Sequence, residues 1–303
     1  MPMTAVIFPG QGEQVPGMLH SLPATGVEVL DCARGALPED PLDLDSAERL
    51  DDSRATQLCL LLAGTAWYRA AVDVGLKADY LAGHSIGLWA ATVAAGSLDL
   101  TDAVRLVDLR ATAMRAASPP HSGMIVVQGL AEQAVENAAE QARGEGLEVW
   151  SSNVNSAAQI AASGTNPGLD RVAELVRAAG AQRVVRLNVL VPAHSSLMTP
   201  AADAVREALA DTEVDRPRIP LAGNVTGQTL FTAAAVRREL WLGIDHPVRW
   251  RDATSILSER GVTRWLQVPP GHALARLAAG LPDSRALAMD EVGLAESVQR
   301  IQR

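Results

Sequence analysis

The chain is short of sulfur. Its 303 residues include two cysteines, Cys32 and Cys59, which fall in different segments. Neither a disulfide framework nor a metal site is expected from that pair. Lysine is rarer still: Lys77 stands alone, so nearly all positive charge is arginine. No run of eighteen or more apolar residues is free of charge, which argues against a transmembrane helix and a membrane role. The opening Met1-Pro-Met-Thr-Ala-Val-Ile-Phe8 lacks the basic start of a signal peptide. The expectation is a cytoplasmic enzyme. A net charge of -9 argues against nucleic acid as the main partner. What is present is apolar bulk. Hydrophobic residues make up 48 %, enough for a large core, and the length suits one α/β domain or one carrying a smaller insert.

The sharpest local pattern is Gly83-His84-Ser85-Ile86-Gly87, which fits the G-x-S-x-G nucleophile elbow. In that motif a strand turns tightly into a helix with the serine at the tip. The flanks agree. Ala78–Ala82 reads as a short strand, and Leu88–Ala95 reads as a helix ended by Gly96. Free N–H groups at such a helix start can bind a developing oxyanion.

Elsewhere, Thr4–Phe8 reads as a buried parallel strand closed by Pro9-Gly10-Gln11-Gly12. That loop is an ordinary strand end or a close approach to a ligand, at the place where open α/β sheets bind. Residues 24–35 and Thr56–Ala71 read as helices; in the second, Gln57 is a buried amide that needs partners. Glu39 to Asp52 reads as a solvated acidic connection. A helix from Leu100 to Arg115 is expected to take its cap from Thr101 or Asp102. On it Arg110 shares a face with Met114, where an arginine ordinarily snorkels.

The texture changes after Ser118. Strand Met124–Gln128, helix Ala131–Arg143, strands Leu147–Asn153 and Gln159–Ser163, helix Pro167–Ala179 and strand Arg183–Val189 follow in order. That β-α-β-β-α-β order is the ferredoxin-like pattern. The expected fold class is α/β: a large α/β-hydrolase-like domain with a parallel sheet, residues 1–122 and 190–303, and an inserted small ferredoxin-like domain at 123–189. Asn153-Val-Asn155 suits a cleft wall and a turn equally. Val191-Pro-Ala-His194 re-enters the large domain; taken alone, its histidine is more often structural than catalytic. Val262–Val268 reads as a buried strand and Ala273–Ala279 as a helix.

Four separated motifs then line up: Phe8-Pro-Gly-Gln-Gly-Glu-Gln14, the elbow, Arg110 twenty-five positions after Ser85, and Val191-Pro-Ala-His194. Together they resemble the malonyl-CoA:acyl-carrier-protein transacylases over nearly the whole chain. Val15–Pro23 and Ser53–Leu61 look most like one branch, the epsilon subunit of bacterial malonate decarboxylase. The resemblance implies roles. Ser85 would be the nucleophile and His194 its general base, oriented by the backbone carbonyl of Arg249 rather than by a carboxylate. The N–H groups of Gln11 and Ile86 would form the oxyanion hole. Arg110 would grip the free carboxylate of malonyl, and Gln57 would line the pocket. The resemblance implies no permanently bound cofactor and no metal. A coenzyme A thioester would be the donor substrate. The phosphopantetheine-type thiol of an acyl carrier protein would be the acceptor, with other decarboxylase subunits as further partners.

Some positions depart from the family pattern. Leu88 stands where glutamate is common, and Ala111 where glycine is usual after the arginine. Arg249 stands where glutamine is common, and a cation there would lower the pKa of His194. Ala193 stands where malonyl-type polyketide enzymes often carry phenylalanine, which implies a roomier pocket. Three readings remain at this point. The first is malonyl transfer, in decarboxylase priming or in fatty acid or polyketide synthesis. The second is a serine hydrolase or thioesterase, although no Asp or Glu is placed to complete a triad. The third is a non-catalytic assembly subunit.

Overall fold

The computed structural model describes residues 2–303. The strands are β1 (Met3–Phe8), β2 (Tyr80–Gly83), β3 (Ser122–Gln128), β4 (Val149–Ser156), β5 (Gln159–Thr165), β6 (Arg183–Arg186), β7 (Leu221–Ala222), β8 (Thr229–Leu230), β9 (Val262–Gln267) and β10 (Arg285–Ala288). The helices are α1 (Gly26–Ala36), α2 (Ser53–Asp73), α3 (Gly87–Ala94), α4 (Leu100–Ala117), α5 (Glu132–Gly144) and α6 (Asn166–Ala178). They continue as α7 (Thr199–Ala210), α8 (Ala233–Leu242), α9 (Trp250–Glu259), α10 (Ala273–Ala279), α11 (Met289–Val292) and α12 (Leu294–Gln302).

The large sheet has six strands in the order β10-β9-β1-β2-β7-β8. All pairs are parallel except β7 with β8. Strand alternation makes β1 serve two cores. Val6 and Phe8 join the cluster under α2 and α3, whereas Ala5 and Ile7 join Trp250 and Trp265 on the opposite face. The small sheet has four strands in the order β4-β5-β3-β6, with antiparallel pairing throughout. That is the ferredoxin-like order. Helices α5 and α6 cover it through Val135, Ala139, Leu169 and Val172.

Two local expectations are corrected, and one addition is found. The cap of α4 is neither Thr101 nor Asp102 but Asp99, whose carboxylate accepts from the Thr101 N–H at 2.7 Å. The acidic stretch before α2 is not only surface. Asp45 is 2 % exposed and accepts from the Leu19 N–H at 2.6 Å, tying down the loop after β1. Strand β10 and helices α11 and α12 add an edge and a cover that the apolar pattern did not announce.

Candidate active site

The elbow is set by contacts that leave no room for side chains. A Cβ on Gly83 would lie 2.1 Å from the Gly87 carbonyl, and one on Gly87 would lie 2.3 Å from the Phe8 oxygen. Glycine at both places lets β2 turn directly into α3. Ser85 takes the strain, with a φ of 54°. Asn224 clamps this turn. Its Oδ1 accepts from the Ser85 N–H at 2.7 Å, and its Nδ2 donates to the Gly83 carbonyl at 2.7 Å. With the Ser85 amide occupied, the free amide next to it is that of Ile86, at the positive end of α3. The N–H groups of Ile86 and Gln11 donate no hydrogen bond among the described residues.

His194 Nε2 lies 2.8 Å from Ser85 Oγ. The histidine sits in a left-handed turn with φ 62°. Its N–H donates to the Ile244 carbonyl at 3.0 Å, and the Ser195 hydroxyl donates to the Pro192 carbonyl at 2.6 Å. When the Ser85 hydroxyl donates to Nε2, the ring proton is on Nδ1. That nitrogen has no hydrogen-bond partner among the described residues.

The expected orienting carbonyl at Arg249 is therefore a correction. It accepts from the Ala253 N–H at 3.0 Å, because Arg249 opens α9. The Arg249 guanidinium is not the cation that depresses His194 either. It pairs with Asp252 at 2.5 Å and Glu132 at 3.2 Å. Burial first, then the charge of Arg110, then His84 push the His194 imidazole down to about 3. The free ring is thus a neutral, weak base.

Arg110 does not snorkel. It is 2 % exposed, carried inward by α4. Its Nη1 donates to Gln57 Oε1, its Nη2 donates to Ser85 Oγ at 3.4 Å, and its Nε has no partner. Gln57 uses its Nε2 to donate to the Ser53 hydroxyl at 2.9 Å. That hydroxyl donates to Gln11 Oε1 at 3.2 Å. One chain of bonds therefore joins the loop after β1 to the guanidinium. No carboxylate among the described residues pairs with Arg110. Burial lowers its pKa to about 10, so it remains a cation at neutral pH. A buried cation without a counter-ion is costly, and an anion from outside would relieve it.

A cavity of about 220 Å³ opens between the sheets. Gln11, Ser85 and His194 line it on one side, and Asn153, Asn155 and Ala161 on the other. Arg110 lies beyond Ser85, outside this lining. The small sheet reaches the elbow directly: Asn155 Oδ1 is 3.0 Å from His84 Nε2. Asn155 is thus a cleft residue, and its turn reading falls. Glu13 anchors the loop after β1 by accepting from the Ala273 N–H at 2.7 Å and from Gln267 Nε2 at 3.1 Å. Sequence reasoning missed Asn224 and Glu13. The only signal for Asn224 was an asparagine beside glycine, which any turn explains. Among the described residues no group of three His, Cys, Asp or Glu side chains could hold a metal ion.

A histidine on the Oγ of an elbow serine, with free amides nearby, is an arrangement able to carry acyl-transfer chemistry. The sequence carries this further. A family model described as "Acyl transferase domain" matches residues 6–300, and the chain belongs to that family. It is 34 % identical to the malonyl CoA-acyl carrier protein transacylase of Haemophilus influenzae, over 97 % of either chain. It is 36 % identical to the protein of that name in Escherichia coli K12, over 94 % of either. FabD of Acinetobacter baumannii superposes with a TM-score of 0.94 at 33 % identity, covering 99 % of this chain and 98 % of that one. A structure described as a type II polyketide acyl-carrier protein in complex with its malonyl-transacylase gives 0.93 at 32 % identity, over 98 % and 99 %.

Proposed function

We propose that this chain is a malonyl-CoA:acyl-carrier-protein S-malonyltransferase that works through a malonyl ester on Ser85. The observation that carries this reading is Arg110, a buried and unpaired cation 3.4 Å from the nucleophilic oxygen. An acyl group ending in a carboxylate supplies its missing counter-ion. Each charge-assisted bond in such a pair contributes roughly 1.5–3 kcal/mol. An acetyl group leaves the guanidinium bare. The named relatives act on malonyl-CoA and acyl carrier protein, which agrees with this chemistry.

His194 takes the proton of Ser85 as Oγ attacks the thioester carbonyl. The N–H groups of Gln11 and Ile86 receive the oxyanion. Coenzyme A leaves as its thiol, with the proton from His194. In the second half the carrier thiol gives its proton to His194 and attacks the ester, and Ser85 recovers its hydroxyl. Coenzyme A thioester and carrier thiol are both substrates.

Within this activity the finer reading is the epsilon subunit of a malonate decarboxylase. It rests on Val15–Pro23 and Ser53–Leu61. Its acceptor would be the coenzyme A-like group of a small decarboxylase subunit, instead of the phosphopantetheine of fatty acid or polyketide synthesis. Intact-mass measurement after malonyl-CoA tests the reading. One malonyl group is expected on the wild type and none on Ser85→Ala; an adduct that persists in the variant overturns it. Adding each carrier in turn shows which thiol discharges the ester.

A further inference from the structure

Glu239 is a buried acid with no part in the acyl-transfer steps above. It sits on α8 and is 2 % exposed. Its Oε2 accepts from the Val225 N–H at 2.8 Å. Its Oε1 accepts from the Thr226 N–H at 3.1 Å and from the Thr226 hydroxyl at 2.6 Å. An acid is rarely buried this far unless a cation or a set of donors meets it. Here the donors all belong to the turn that carries Asn224. Glycine at 223 makes the approach possible, because a Cβ there would lie 2.6 Å from Oε1. The carboxylate thus holds the two N–H groups that follow Asn224 in the chain.

The same helix reaches the base. Just past its end, the Ile244 carbonyl accepts from the His194 N–H at 3.0 Å. Gly243 and Ile244 are themselves tied to α8. Their N–H groups donate to the Glu239 and Trp241 carbonyls at 2.9 and 3.1 Å. Val236 and Leu240 fix the helix in the main core. One element therefore holds Ser85 through Asn224 and holds His194 through a backbone carbonyl. None of the residues of α8 lines the cavity beside Ser85.

We propose that Glu239 is a positioning residue for acyl transfer: from α8 it fixes the turn that presses Asn224 onto the elbow, and so sets Ser85 Oγ against the His194 ring. Ser85 keeps its left-handed φ of 54° only while its surroundings over-determine it. The two Asn224 bonds at 2.7 Å, to the Ser85 N–H and the Gly83 carbonyl, are part of that restraint. Without the carboxylate, the Val225 and Thr226 N–H groups lose their acceptor, and the turn shifts with Asn224 on it. Oγ then leaves the 2.8 Å contact with Nε2, across which its proton passes as the Oγ–C bond forms. Arg110 is carried by α4 and Gln57 by α2, so binding of the acyl donor is untouched. The inference rests on Ser85 being the residue that carries the acyl group.

The test is single-turnover acylation of Ser85 by malonyl-CoA, followed by intact mass. Glu239→Ala should lower the limiting rate about tenfold or more, with the half-saturating malonyl-CoA concentration little changed. Glu239→Gln keeps one accepting oxygen, so its rate should fall between those of the wild type and Glu239→Ala. Added to Asn224→Leu, Glu239→Ala should slow acylation by no more than about twofold, because the path through Asn224 is already cut. An acid that only stabilises the fold predicts a lower melting temperature with an unchanged limiting rate, and that result overturns the inference. Losses that multiply in the double variant overturn it too, as does a loss seen in the half-saturating concentration instead of the rate. If Glu239→Ala or the double variant does not fold, Glu239→Gln decides. Its limiting rate should be about threefold lower at an unchanged half-saturating concentration, and an unchanged rate overturns the inference. A wild type that takes no malonyl group on Ser85 would sink the proposed function itself. A normal wild-type ester beside unslowed Glu239 variants sinks only this inference.

Discussion

Asn224 works on both sides of the elbow, and its side chain has no freedom left. Its amide accepts from the Ser85 N–H and donates to the Gly83 carbonyl, while its own carbonyl accepts from the Arg249 N–H at 2.7 Å. The left-handed φ of Ser85 persists because the surroundings over-determine it. Asn224→Leu frees one buried donor and one buried acceptor, each costing about 1–3 kcal/mol. The expected result is a fall in kcat for malonyl transfer of roughly tenfold to a hundredfold, with KM for malonyl-CoA little changed. Steady-state kinetics checks it; an unchanged kcat would show that Asn224 only stabilises the fold.

At the scale of elements, the site depends on where β1, β2 and α2 begin and end. The loops after β1 and β2 leave the carboxyl edge of a parallel sheet side by side, which is where the crevice forms. Helix α2 runs beneath them with Ala55 through Ala66 all buried, so Gln57 has no route to solvent. Its start is fixed by Asp52, whose Oδ1 accepts from the Arg54 N–H at 2.8 Å and the Ala55 N–H at 3.4 Å. Removing this cap with Asp52→Ala should cost about 1 kcal/mol, and Asp52→Asn, which can still cap, much less. Thermal unfolding of the two variants measures the difference. Equal losses would assign the effect to the exposed ion pair of Asp52 Oδ2 with Arg115 at 2.9 Å instead.

At the scale of the whole molecule, the small sheet is held against the large one by few but varied contacts. The Val154 N–H donates to the Val248 carbonyl and the Val248 N–H to the Ser152 carbonyl, both at 2.8 Å. Glu132, at the start of α5, bridges Arg249 at 3.2 Å and Arg251 at 2.9 Å. The cluster is about one-third exposed, so its contribution is modest and screened by salt. Glu132→Gln is expected to lower the melting temperature by an amount worth up to about 1 kcal/mol at low ionic strength. The loss should shrink at high ionic strength. A loss independent of salt would point to packing at the start of α5.

The amino-acid sequence by itself determined the two-sheet α/β plan, because strand and helix periods are local and each apolar face must be covered. It also marked the elbow, since only glycine fits where the Gly83 and Gly87 backbones meet β1 and α3. Chain position alone could not separate a snorkelling Arg110 from a buried one, or a solvated Asp45 from a buried anchor. Those outcomes depend on which helix covers which face. The same holds for Asn224, which lies 139 positions from the amide it clamps. Only the tertiary structure decided that Arg249 is neutralised by Asp252 and Glu132, and that His194 Nδ1 makes no bond to its carbonyl. It also decided that a cation without a carboxylate partner, Arg110, stands 3.4 Å from Ser85 Oγ. Burial and pairing are properties of several segments at once, and no single segment records them.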